Sequence, residues 1–185
     1  MEGNPCRHTI ENCLSFSQEK DAYDHLPLQR GKIISKEQAL KILVEAEEEG
    51  LVHCTYNVLS GQTFICNCCP CSCALLRGVK QFKAPFILAK SNFVAMIDQE
   101  SCESCGICKD ERCPMGAVIE KSGVYSIQDE RCIGCGVCVV SCPTDSMTLI
   151  SRKAFEQNKP SATLFKWQYE RAAKRGIGIK SSGEI

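Results

Sequence analysis

No apolar run in this sequence reaches membrane-spanning length; the stretch Pro85–Ala89 is far too short to cross a bilayer. Met1–Pro5 holds no basic segment and no apolar core follows it, so no export signal is read there. Net charge is also missing: 22 Lys and Arg balance 22 Asp and Glu, so the overall balance names no partner. The chain has no nucleotide-binding glycine loop, no flavin fingerprint, no Cys-x3-Cys-x2-Cys radical motif and no Cys-x2-Cys-His haem site. Nucleotide, flavin, radical and c-type haem chemistries lose their usual signatures with them. Cysteine, by contrast, is in excess, with 16 in 185 residues. In a chain without an export signal that excess points to metal ligation rather than disulfides. A reducing, anaerobic cytoplasm is the expected setting.

Eight of the cysteines form two motifs. The first is Cys102-x2-Cys105-x2-Cys108-x4-Cys113-Pro114 and the second Cys132-x2-Cys135-x2-Cys138-x3-Cys142-Pro143, with the triplets 30 residues apart. Zinc and disulfides compete as readings of Cys-x2-Cys pairs. A Cys-x2-Cys-x2-Cys triplet that occurs twice, each time with a fourth Cys and a Pro, favours two iron–sulfur cubanes over both. In runs of this spacing the fourth Cys of each motif serves the other cluster. The expected ligand sets are Cys102, Cys105, Cys108 and Cys142 for one [4Fe–4S] cluster, and Cys132, Cys135, Cys138 and Cys113 for the other. The first motif has one extra residue before Cys113, which is expected to loop outward near the second cluster.

At these residues the chain resembles the two-cluster bacterial-type ferredoxin family, over roughly residues 93–150. The resemblance implies two ββ-like halves with a short helix each, Phe93–Ile97 pairing with Met147–Ile150 and Ala117–Ile119 with Tyr125–Ile127. Gly106, Gly134 and Gly136 would let the backbone approach the cluster sulfurs. Ile107, Val118, Ile133, Val137 and Val139 would dry the space between the cubanes. A unit this small needs staples, and the clusters supply them.

The other eight cysteines are Cys6, Cys13, Cys54, Cys66, Cys68, Cys69, Cys71 and Cys73. Residues 1–30 are polar and aperiodic, with a short helix expected near Asn12–Lys20. The strongest helix signal is residues 35–49, with Ser35 and Gln38 as a capping box, an apolar stripe from Ala39 to Ala46 and Gly50 as the stop. Strands at 51–56 and 63–66 follow. A helix and hairpin in this order resemble the end of a winged helix, but five glutamates on the helix suit a phosphate backbone poorly. The run Cys66–Cys73 holds five cysteines in eight residues, more than packing explains. Three thiolates from it (Cys66, Cys69 and Cys73, with the pair Cys68 and Cys71 as the alternative), together with Cys6 or Cys13, are expected to hold a third iron–sulfur cluster. Zinc or a redox-active thiol set are the alternatives. Cys54 reads as a small buried residue. This portion resembles the Cys-rich N-terminal part of longer ferredoxin-like proteins of anaerobic bacteria, at Gly50-Leu51-Val52-His53, Ile65-Cys66-Asn67-Cys68-Cys69, Ser91-Asn92-Phe93 and Cys113-Pro114-Met115.

The expected fold is α+β. It comprises a Cys-rich helix-plus-β-hairpin domain (1–83), a linker (84–92), a two-cluster ferredoxin-like domain (93–150) and a basic extension (151–185) with a helix near 162–175. Residues 93–150 carry nine acids against four bases, whereas 152–180 carry eight bases against two acids. The tail therefore suits docking on a partner or lying back on its own acidic domain. The helix within it is expected first to pack on its own protein, then to dock on a partner, with a membrane-surface role third. The leading function is a cytoplasmic electron-transfer protein or subunit, not an enzyme on its own. It would relay single low-potential electrons to a redox enzyme or carrier protein, as part of a larger complex, with no nucleic acid partner and no membrane span. A cluster-based redox sensor and a catalytic subunit with an open-site N-terminal cluster are the rivals.

Overall fold

The computed structural model describes residues 6–9, 11–17, 31–83, 87–153 and 159–178. His25 and the Ala84-Pro85 step lie outside the described residues. Strand β1 (Leu14–Ser15) begins where a short helix was expected, and it pairs antiparallel with β3 (Phe64–Cys68), Leu14 opposite Ile65. The tertiary pairing overrides the local sequence there. Helix α1 (Lys36–Glu48) starts on the expected capping box. The Gln38 N–H donates to Ser35 Oγ at 3.2 Å, and the Ser35 N–H donates to Gln38 Oε1 at 2.8 Å. Its buried side is narrower than the stripe suggests: Ala46 is buried, while Leu40 and Val44 are exposed.

β2 (Val52–Cys54) pairs with the other edge of β3, giving a three-stranded sheet in the order β1-β3-β2. The register sets Val52 opposite Cys68 and Cys54 opposite Cys66. Asn67, buried between them on the opposite face, lies 2.6 Å from His53 Nδ1 and donates to the Asn12 carbonyl. After the Cys-rich turn, α2 (Ala74–Phe82) packs Leu76 into the core, fully buried. Residues 87 and 88 are packed: Ile87 lies over Gly78, and Leu88 joins the same core as Leu76.

The second half is two antiparallel ribbons. β4 (Phe93–Ile97) pairs along its whole length with β7 (Met147–Ser151), and β5 (Val118–Lys121) with β6 (Val124–Ile127). These are the pairings the pseudo-twofold pattern predicts. Ser122 and Gly123 both take positive φ, as a two-residue hairpin turn on a right-twisted ribbon requires. The four-residue helix α3 (Val137–Val140) carries Cys138, the last cysteine of the second triplet. The matching place at the end of the first triplet holds a π-helical turn, Cys108–Arg112, closed by the Cys113 N–H donating to the Cys108 carbonyl at 3.0 Å. The extra residue of the first motif is wound into this wide turn and does not loop outward.

That turn aims Arg112 at the N-terminal half. Its guanidinium donates to the Glu48 and Glu47 carbonyls at 2.7 and 2.8 Å, capping the last turn of α1. The cation there offsets a helix end that carries Glu45, Glu47, Glu48 and Glu49, all unfavourable toward the helix dipole. The two halves also share a core: Val52 and Leu76 from the first pack with Met115 and Val137 from the second.

Arg152, counted with the basic tail in the sequence, is instead buried. It pairs with Asp129 and donates to the Ser91 and Cys132 carbonyls at 3.0 and 3.2 Å. Helix α4 (Leu164–Ala173) is anchored at its base. The Leu59 and Ser60 N–H groups at the β2–β3 tip donate to the Ser161 and Ala162 carbonyls at 3.0 and 3.1 Å. No residue of α4 is buried, and Phe165, Trp167 and Tyr169 are exposed, so the expected packing of its apolar residues on the protein is not what forms. None of the described helices is long and apolar enough to cross a membrane.

Candidate metal centres

The eight cysteines of the two motifs line two cavities. The first is bounded by Cys102, Cys105, Cys108 and Cys142, with Ile97, Ile107, Tyr125 and Met147. The second is bounded by Cys113, Cys132, Cys135 and Cys138, with Ala95, Met115, Ile133 and Leu149. Each cavity thus takes three cysteines from one motif and the fourth from the other. Gly134 bends the second triplet with φ +65, and a Cβ there would come within 2.3 Å of the Phe93 carbonyl oxygen. Only glycine fits this approach of the ligand turn to β4.

The two cavities differ in exposure and polarity. Cys105 at the first is exposed, whereas Cys138 at the second is buried. Burial, followed by the charge of neighbouring thiols, pushes Cys138 up to about 12, and burial pushes Cys135 up to about 11. Cys142 goes the other way. Burial acts to raise it, but the Ser146 and Thr144 hydroxyls, 3.2 and 3.7 Å from its sulfur, and nearby backbone N–H groups draw it down to about 7. At Cys113 the sulfur accepts the Ala117 N–H at 3.1 Å.

Between the cavities, Ala95, Val118, Cys138 and Met147 form one apolar cluster, with Val139 against it. Val137 and Ile133 lie on the far side of the second cavity instead, in the core shared with the N-terminal half. These cavity thiols repel one another and face apolar walls, and no Lys, Arg or His is among the described residues that line either cavity. An iron–sulfur core neutralises them when it binds, displacing the thiol protons. The donor set and its walls fit that group.

The N-terminal cysteines sort into two sets. Register extended one residue past β1 puts Cys13 opposite Cys66, whose other cross-strand neighbour is Cys54. Cys68 follows two residues on, on the same face, and Cys73 caps α2 beside it. Burial, then the charge of Cys73, raises Cys54 to about 11 and raises Cys68 further. Cys54, Cys68 and Cys73 pack against the same core that Cys113 and Cys135 touch from the other side. Cys69 and Cys71 turn away from this set toward Cys6 and His8. The triplet Cys66, Cys69 and Cys73 is therefore divided, and Cys6 and Cys13 go to different sets. The sequence reading missed Cys54 and His8. The cross-strand pairing of 54 with 66 and the Cys6-x-His8 spacing are the signals that single them out.

Residues 125–148, which span the second motif, match the 4Fe-4S binding domain family. Over this stretch the chain is similar to a 4Fe–4S binding domain. Among known proteins it is similar to a probable iron-sulfur subunit from the Frd operon of Proteus vulgaris, 38% identical over 52 residues, or 26% of this chain and 33% of that protein. It is also similar to the electron transport protein HydN of Escherichia coli strain K12, 28% identical over 95 residues, 47% of this chain and 54% of HydN. An iron-sulfur protein of Rhodospirillum rubrum is 29% identical over 102 residues, 50% and 54%. The chain thus spans between a third and about half the length of these relatives.

Proposed function

We propose that this chain is an electron carrier that relays single low-potential electrons through two [4Fe–4S] clusters and a third, N-terminal cluster to a partner redox protein. The first cluster is held by Cys102, Cys105, Cys108 and Cys142, the second by Cys113, Cys132, Cys135 and Cys138, and the third by Cys54, Cys66, Cys68 and Cys73. The observation that carries the reading is the alternation of thiol sets with apolar packing. The cluster around Val118 packs on cysteines of both cavities, and the core around Val137 packs on cysteines of the second cavity and on the N-terminal thiols. A bound cubane supplies one-electron exchange. The chain's own residues hold it, exclude water from it and, through acidic surroundings and sulfur hydrogen bonds, set how readily it is reduced. Exposed Cys105 makes the first cavity the end at which electrons exchange with a partner. The electron-transport name of HydN and the iron–sulfur name of the Proteus protein support the same reading.

The test is iron and acid-labile sulfide per chain in protein purified without oxygen, with electron paramagnetic resonance of the reduced state. About twelve irons are expected, three cubanes' worth. Cys68→Ser should lower this by about four and leave the signals of the other two centres in place. Cys105→Ser and Cys135→Ser should each slow electron delivery to a protein acceptor. Wild-type rates in both variants would sink the relay.

A further inference from the structure

We infer that Cys6, His8, Cys69 and Cys71 form a mononuclear zinc site, separate from every iron–sulfur centre of the chain. Their four donor atoms all lie within 4.8 Å of one another, the one such group among the described residues. Cys6 Sγ stands 3.5 Å from Cys69 Sγ and 3.4 Å from Cys71 Sγ. His8 Nδ1 stands 3.3 Å from Cys6 Sγ and 3.7 Å from Cys71 Sγ. A tetrahedral zinc with Zn–S of about 2.3 Å and Zn–N of about 2.0 Å has donor–donor edges of about 3.5–3.8 Å. The observed spacings sit near those edges. A cubane, in contrast, puts each thiolate on a different iron and spreads them apart. The eight cysteines around the two large cavities show that wider spacing, since none of them joins a group this tight. Three thiolates and one imidazole are also a donor set of structural zinc sites.

The surroundings are built to hold these donors. Thr9, next to His8, is tied to the C-terminus of α1 by its N–H and hydroxyl donating to the Glu49 carboxylate at 2.8 and 2.5 Å. Cys69 is buried against Ala46 and Leu51, and Cys6 packs on the same cluster. Cys6-x-His8 and Cys69-Pro70-Cys71 each present alternate residues to the centre. The ion there would staple residues 6–9 to the turn between β3 and α2. Cys6, Cys69 and Cys71 are thereby withdrawn from the third cluster, and the zinc reading stands whether or not that cluster forms.

The experiment is zinc per chain by mass spectrometry, with X-ray absorption at the zinc edge, on full-length protein purified without oxygen and challenged with a chromophoric zinc chelator. One zinc that survives the challenge, with three sulfurs and one nitrogen in its shell, is expected. His8→Cys should keep the zinc and convert the shell to four sulfurs. Cys71→Ser should lose at least half of the zinc to the chelator while the iron content stays unchanged. Zinc below a tenth per chain, a shell of oxygens and nitrogens only, or iron lost in step with zinc in a Cys71→Ser protein that still unfolds cooperatively would each overturn the assignment. The wild-type spectrum alone decides the shell, so a variant that fails to fold leaves the test intact.

Discussion

Two hydroxyls flank the Cys142 sulfur, and they have no counterpart at the second cavity among the described contacts. Hydrogen bonds to a ligating sulfur favour the reduced, more negative state of a cluster and so raise its potential. Ser146→Ala should therefore lower the potential of the first centre by a few tens of millivolts. A hydrogen bond worth about 1 kcal/mol corresponds to roughly 40 mV in a one-electron couple. Redox titration followed by electron paramagnetic resonance reads this shift, and the second centre should not move. A second residue-scale expectation concerns Arg152. Its buried guanidinium joins Asp129 to carbonyls of β4's approach and of the Cys132 turn. Arg152→Met keeps the stem but strands those acceptors, at a cost of about 2–4 kcal/mol. Bleaching of the iron–sulfur absorption should then begin at lower guanidinium concentration. From sequence alone this arginine was indistinguishable from its basic neighbours, because only the fold decides which cation is enclosed.

Among the elements, the π-helical turn and α4 make opposite expectations. The turn delivers Arg112 to the end of α1, so Arg112→Ala should release the Glu47 and Glu48 carbonyls. The fraying should cost about 1–2 kcal/mol and appear as faster amide exchange over residues 44–49. An unchanged exchange pattern there would remove the brace from the account. No residue of helix α4 is fully buried and Phe165 and Tyr169 are exposed, so Phe165→Ser or Tyr169→Ser should leave stability within about 0.5 kcal/mol in a thermal melt. Much at this scale was legible: the capping box, the hairpin after it and both ribbon pairings follow from local chemistry and the two-residue period of strands. Strand β1, which stands where a helix was expected near Asn12–Lys20, was not, because it is two residues long and fixed by the edge of β3. The π turn was not either, since one extra residue can bulge or wind, and the choice rests on a distant helix end.

For the whole molecule, the sorting of thiols governs reactivity. The first centre opens to solvent at Cys105, while the second is enclosed on both sides by apolar clusters. A brief exposure to ferricyanide should destroy the first centre before the second, and loss in the reverse order would contradict the exposure argument. Time-resolved loss of the two paramagnetic signals distinguishes them. The pairing of motifs across the two cavities was readable from spacing, because the triplets and the fourth cysteines repeat. The division of Cys66–Cys73 was not. Strand alternation sends 66 and 68 to one face, and the turn after 68 sends 69 and 71 elsewhere. Which cysteine meets which therefore depends on where β3 stops.

The exchange of fourth cysteines between the two cavities also governs biosynthesis. As the chain leaves the ribosome, Cys102, Cys105 and Cys108 emerge well before Cys142, and Cys113 emerges before its three companions. Neither cavity has its full complement of thiols until the second motif has been made. A nascent chain arrested between the motifs holds only incomplete sites, so under the proposed relay neither of these two clusters is completed before the second motif is made.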